Sequence, residues 1–128
     1  MPQKSKVILR FLADPSSVNF GGKVHGGTVM KWIDEAAYAC AAGWSGLYCV
    51  TASVGNINFM SPISIGDLVE VEASIIKTGT SSMHIHVVVS SGKPTEESST
   101  KTTECNMVLV AANQYGKPTP VRPYTTGI

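Results

Sequence analysis

Gly27-Thr28-Val29-Met30-Lys31-Trp32-Ile33-Asp34-Glu35-Ala36-Ala37-Tyr38-Ala39-Cys40-Ala41-Ala42 carries apolar residues on nearly every side of a 3.6-residue turn. That pattern predicts a helix packed in a core rather than lying on a surface. Glycines 21, 22, 26 and 27 lead into the segment, and Gly43 offers a stop. Asp34 conflicts with the pattern. A buried carboxylate costs free energy unless hydrogen bonds or a cation compensate, and such carboxylates gather at active sites. Asp34 is therefore either a functional acid or a structural one, paired with Lys31 one turn earlier or sharing a solvated stripe with Lys31 and Glu35.

Outward from the helix, the remaining segments read as strands. Val7 to Leu12 forms one, ended by the turn chemistry of Ala13-Asp14-Pro15-Ser16-Ser17. Tyr48 to Met60 forms a long one with a bulge at Gly55, ended by Pro62. Leu68 to Ile75 alternates with period two, which turns Val69, Val71, Ala73 and Ile75 inward and Glu70, Glu72 and Ser74 outward. Met83–Ser90 and Thr103–Ala112 follow, then a terminal turn, Asn113 to Pro118. One strand, one apolar helix and four strands on short connections predict an α+β fold, the helix wrapped by an antiparallel sheet of about five strands with sequential strands as neighbours. Repeated βαβ units are missing, so a doubly wound dinucleotide fold is excluded.

The 128 residues are read as a single domain, 1–128. Net charge is +1, with lysines and arginines scattered, which gives no footprint for nucleic acid or an anionic membrane surface. The amino-terminal residues read as neither a signal peptide nor a membrane span, so a cytoplasmic location is expected. Cys40, Cys49 and Cys105 form no CxxC pair and are expected as packed, reduced thiols.

Several motifs bear on chemistry. Gly26 and Gly27 open the helix, where unsatisfied N–H groups and the positive end of the dipole can hold an oxygen gaining negative charge. The same pair would also serve close helix–sheet packing. Asn19, His25, Gly26 and Asp34 bracket that entrance, with His25 open to either a structural hydrogen bond or proton transfer. His84 and His86 share one strand face without a carboxylate cluster, so no metal is expected. Lys77-Thr78-Gly79-Thr80-Ser81-Ser82 is dense in hydroxyls and backbone donors, suited to a phosphate or to an ordinary polar hairpin. Neither a GxGxxG, a phosphate-loop lysine nor a GxSxG elbow occurs.

Asn19, then His25-Gly26-Gly27, then Asp34, together with Val50-Thr51-Ala52-Ser53-Val54, Asn58-Phe59-Met60-Ser61-Pro62, Ile65-Gly66-Asp67 and Lys77 to Ser82, resemble in order and spacing the hot-dog-fold acyl-CoA thioesterases. The likeness is to the bacterial and brain-type acyl-CoA hydrolase branch, with features of the phenylacetate-pathway group, and spans nearly the whole chain. Ser61 stands where the first branch often has Arg, and His25 where it commonly has Phe.

The resemblance implies that Asp34 activates water or attacks the thioester, that backbone N–H near Gly26 is the oxyanion donor, and that Asn19 orients water or substrate, usually in a site whose acid comes from the partner subunit. It implies substrate contacts at His25, Gly27, Thr51, Ser53, Asn58 and Phe59, with Thr51 and Ser53 equal candidates to steady the water. It also implies that Lys77, Gly79, Thr80, Ser81 and Ser82 hold coenzyme A phosphates. Acyl-CoA is the implied substrate, coenzyme A being part of substrate and product rather than a cofactor. The implied assembly is a homo-oligomer built from dimers, a tetramer or a hexamer. Two rivals remain: a hot-dog dehydratase or hydratase, which requires a His spaced from the acid unlike His25 and Asp34, and a non-catalytic acyl-CoA-binding protein, which has no use for Asp34. Pocket depth is expected to depend on Val29, Trp32, Ile33, Phe59 and Met60.

Overall fold

The computed structural model describes residues 4–125, and its helix α1 (Gly26–Ser45) is longer at both ends than the sequence suggests. Gly43 does not stop it. Gly46 does, at φ 70°, in the left-handed conformation that ends many helices, with its N–H donated to the Ala42 carbonyl at 2.8 Å. Val29, Ile33, Ala36, Ala37, Cys40, Ala41 and Trp44 form the buried stripe. Burying Ile33 contributes about 2 to 3 kcal/mol, against a few tenths for the exposed Lys31–Glu35 pair at 3.9 Å, so packing rather than surface charge holds the helix in place.

The helix lies across a five-stranded antiparallel sheet made of β1 (Lys6–Leu12), β2 (Tyr48–Phe59), β3 (Leu68–Thr78), β4 (Ser82–Gly92) and β5 (Thr100–Ala112). A single 3₁₀ turn, Pro15–Ser17, follows β1, with Asp14 accepting from Ser16 N–H. The strand order is β1-β3-β4-β5-β2. The expectation of sequential neighbours holds for β3, β4 and β5 but fails for β2, which pairs with β5 and leaves its own outer edge at the end of the sheet. Register explains the choice: β2 must place Cys49, Val54 and Ile57 opposite inward-facing Ala111, Met107 and Cys105.

Alternation is as read on β3, where Val69, Val71, Ala73 and Ile75 are buried. Glu70 and Glu72 face outward and meet Arg10 at 2.8 Å and Lys6 at 2.9 Å across β1. β2 shifts register twice, between Thr51 and Ser53 and between Val54 and Ile57, the second at the expected bulge. A Cβ on Gly55 would stand 2.9 Å from the Asn106 carbonyl oxygen. Gly55→Ala is therefore expected to lower unfolding free energy by about 1 to 3 kcal/mol, read as a reduced urea midpoint at unchanged slope.

At the far end of the helix the tail crosses back over the domain. Trp44 Nε1 donates to the Arg122 carbonyl at 2.8 Å, Val121 N–H to Thr80 O at 2.8 Å and Tyr124 N–H to Thr78 Oγ1 at 3.0 Å. These bonds tie the β3–β4 turn to the carboxyl end of α1. Among the described residues no helix is long and apolar enough to cross a membrane.

Candidate active site

Asp34 is exposed rather than buried. Met30, Asp34 and Tyr38, spaced four apart, share a part-exposed face of α1 that borders β2 at the edge of the sheet, and apolar residues on that face are what make the helix read as core. Lys31 pairs with Glu35, not with Asp34. The partner of Asp34 is Thr51, whose Oγ1 donates to Asp34 Oδ1 at 2.8 Å. That contact separates Thr51 from Ser53. In a regular strand the two would share a face, but the intervening bulge pairs Thr51 with inward Leu109 and Ser53 with outward Val108.

Two cavities meet at Asp34. One, about 490 Å³, is lined by Asp34, Glu35, Tyr38, Tyr48, Cys49, Val50 and Thr51. The other, about 140 Å³, lies one turn towards the helix start and is bounded by Met30, Ile33, Val54, Ile57 and Met107. Tyr38 and Tyr48, with ring centroids 6.1 Å apart, were not singled out from sequence. The signal was present for Tyr38, four residues after Asp34 and so on the same helical stripe. Of the residues expected to set pocket depth, only Ile33 reaches the smaller cavity. Trp32 packs edge-on against Phe11 at 4.8 Å, and Val29, Phe59 and Met60 line a separate cavity with Gly26 at the helix entrance.

His25 is the N-cap residue. Its carbonyl accepts from Thr28 and Val29 N–H at 3.0 and 3.1 Å, while its exposed side chain makes no capping bond. Gly26 and Gly27 therefore present first-turn N–H groups that have no acceptor within the helix. Phe59 flanks them, its ring 3.7 Å from where a Cβ on Gly26 would be. Asn19 closes the preceding loop, Oδ1 accepting from Gly21 N–H at 2.8 Å and Lys23 N–H at 3.2 Å.

The eight residue steps from Gly26 to Asp34 span about 12 Å of helix axis, so one chain does not bring that amide and that carboxylate to a common atom. Asn58 points to the outer sheet face, opposite Glu104 and beside Asn56 and Asn106. The Lys77 to Ser82 turn lies at the other end of the sheet from Gly26. Its Gly79 N–H is taken by Ser82 O at 2.9 Å and its Ser81 O by Ala111 N–H at 3.0 Å. Ala111 is also the register partner of Cys49, so the turn and the Tyr48 end of the larger cavity lie at the same end of the sheet with β5 between them.

Elsewhere, His86 Nδ1 meets Asn106 Oδ1 at 2.7 Å on the outer face, with Nε2 3.7 Å from Glu104. All three cysteines are free and buried. Burial pushes the Cys40 thiol from its ordinary 9.0 up to about 11, and raises Cys49 and Cys105 in the same direction. Above pH 9 the unfolded chain ionises Cys40 while the folded chain keeps the proton. Stability is thus full below that pH and falls as pH rises towards 11. Urea titrations across this window are expected to show the decline, with a shallower slope in Cys40→Ala.

Residues 21–98 match the sequence model of the thioesterase superfamily. The chain belongs to that superfamily. Among its relatives is an uncharacterized acyl-CoA thioester hydrolase of Buchnera aphidicola subsp. Baizongia pistaciae, 34% identical over 125 residues, covering 95% of this chain and 93% of the relative. The hot-dog architecture is shared with solved thioesterases. An apo-hexameric acyl-CoA thioesterase superposes with a TM-score of 0.92 at 34% identity, covering 97% of this chain and 80% of that one. An acyl-CoA hydrolase from Staphylococcus aureus, solved with butyryl coenzyme A, coenzyme A and coenzyme A disulfide, superposes at 0.88 with 30% identity, covering 93% and 73%. That hydrolase has also been solved with an asparagine, an aspartate and a threonine singly replaced by alanine, the aspartate fifteen residues after the asparagine and the threonine seventeen after the aspartate.

Proposed function

We propose that this thioester hydrolase acts on acyl-CoA, releasing the free carboxylic acid and coenzyme A, with Asp34 as the acid–base or nucleophilic group and no metal or cofactor. The observation that carries the reading is the Asp34–Thr51 pair at the meeting point of two cavities. The intervals separating Asn19, Asp34 and Thr51 are the same fifteen and seventeen residues that separate the three positions altered in the Staphylococcus hydrolase.

Thr51 fixes one carboxylate oxygen and leaves the other to take a proton from water or to attack the thioester carbonyl. Either route builds negative charge on the carbonyl oxygen, needs a donor about 3 Å from it, and breaks the carbon–sulfur bond as the thiolate takes up a proton; in the nucleophilic route water then hydrolyses the anhydride formed on Asp34, releasing the acid and restoring the carboxylate. The Gly26 amide supplies that donor from a second copy of the chain, because about 12 Å of helix separates it from the Asp34 of its own chain. The edge of β2 provides the means of pairing. It ends the sheet, and it exposes Tyr48, Val50, Val54 and Phe59. A long apolar edge of this kind is covered in stable proteins, here by antiparallel pairing with the same strand of a partner. Asn19 joins the site from the partner side, dimers assemble further, and coenzyme A phosphates sit at the Lys77 to Ser82 turn beyond the Tyr48 end of the larger cavity. A cytoplasmic location accords with three unbridged thiols.

The test is thiol release from a panel of acyl-CoA esters, aliphatic and aromatic. Release of free coenzyme A with matching free acid is expected. Coenzyme A binding without turnover on any ester would replace this reading with the non-catalytic binder.

A further inference from the structure

The two cavities at Asp34 differ in chemistry, and a thioester differs in the same way at its two ends. Resting on the acyl-CoA reading, we propose that the 140 Å³ cavity formed by Met30, Ile33, Val54, Ile57 and Met107 receives the acyl group and limits efficient substrates to about six carbons, the number in the benzene ring that an apolar cavity of this size holds.

Every wall of this cavity other than Asp34 is aliphatic or a thioether. Away from the carboxylate such a lining offers water no hydrogen-bond partner, so an acyl chain enters it without stranding a polar group. Its floor is rigid core: Ile33 and Met107 are 2% and 3% exposed, and both pack into the sheet–helix interior. Its rim is not, since Met30 and Val54 are 41% and 45% exposed, and an unbranched Met side chain adapts to what it contacts. The larger cavity on the other side of Asp34 is lined by Glu35, Tyr38 and Tyr48 and lies at the same end of the sheet as the hydroxyl-rich turn, with β5 between them. It suits the amide-bearing arm of coenzyme A. The carboxylate thus stands where an apolar tail and a polar arm would join, which is where the thioester carbonyl lies. A floor of close-packed core, unlike an open groove, gives a hard limit, because overfilling it forces core side chains off their rotamers.

The experiment is kcat/KM for straight-chain esters from acetyl-CoA to dodecanoyl-CoA, measured on wild type, Val54→Phe and Met107→Ala. In wild type the value is expected to climb about fourfold per added methylene until the cavity is full, near hexanoyl, and then to drop about tenfold or more. Val54→Phe fills the rim and moves the break to shorter chains; Met107→Ala opens the floor and moves it to longer ones. Met107 is a core residue, so circular dichroism checks that variant's fold; Val54 lies on the β2 edge assigned to pairing, so size-exclusion chromatography checks that Val54→Phe keeps the wild-type assembly, and that variant decides the question if the other does not fold. A flat profile, or a break that Val54→Phe leaves in place, overturns the cavity assignment while leaving the thioesterase standing. Absence of thiol release from every ester overturns the underlying reading and this one with it.

Discussion

Asp34→Asn is expected to lower kcat/KM for acyl-CoA hydrolysis by about a thousandfold or more, with folding and coenzyme A binding unchanged. The change removes a proton acceptor and nucleophile and almost nothing else. Asparagine keeps an oxygen at the δ position, so Thr51 Oγ1 still has an acceptor where it now bonds Asp34 Oδ1 at 2.8 Å. The residue is exposed on α1 and outside the buried stripe, and substitutions at such positions change stability by about half a kcal/mol or less. Thiol release, thermal melting and coenzyme A titration on the same preparation separate the outcomes. Equal loss of melting temperature and turnover would mean that the Asp34–Thr51 bond is structural.

Gly26→Pro is expected to cost about two to three powers of ten in kcat with the helix intact. Proline at this position deletes one N–H and little more. Gly26 is the first helical residue, where proline is tolerated because the amide has no intrahelical acceptor. His25, at φ −60° and ψ 141°, already has the extended backbone that a residue before proline requires. The added ring atoms would meet Phe59 at ordinary contact distance, starting from 3.7 Å at Cβ. What is lost is an oxyanion donor, worth about 3 kcal/mol in other hydrolases.

Mixing Gly26→Pro with Asp34→Asn then tests whether the site joins two chains. Unfolded together and refolded, the two inactive variants should recover about one quarter of wild-type activity, since half of randomly formed two-fold dimers are mixed and each mixed dimer has one intact site of two. No recovery, with mixed dimers demonstrated by mass spectrometry, would place both groups in one chain's site and contradict the 12 Å separation along α1.

Much of the site was legible because residue type and spacing are local. A carboxylate in an apolar helix, and a glycine pair at that helix's start, are visible without coordinates, so Gly26 and Asp34 stand out as candidates, with Asn19 given its role by the family resemblance. Thr51 could not be told from Ser53, since the distinction depends on a bulge whose position is fixed by pairing with Leu109 and Val108 on a strand some fifty residues away. Tyr48 gave no signal at all, being brought to Asp34 only by the docking of β2 beside the helix.

The sequence alone determined the elements: the 3.6-residue stripe from Val29 to Ala41, the period-two alternation of β3 and the turn residues between strands. Periodicity is a property of neighbouring residues, so it survives without knowledge of the rest of the chain. Only the tertiary structure decided that β2 lies at the edge beside β5, that the Asp34 face of α1 lies along β2 and stays part-exposed instead of entering the core, and that the helix entrance and the Lys77 to Ser82 turn occupy opposite ends of the domain. Those outcomes depend on which apolar surfaces bury one another, a competition among residues far apart in sequence. The Met30 and Tyr38 side chains show why: they are as apolar as a core position demands, yet β2 covers them only in part.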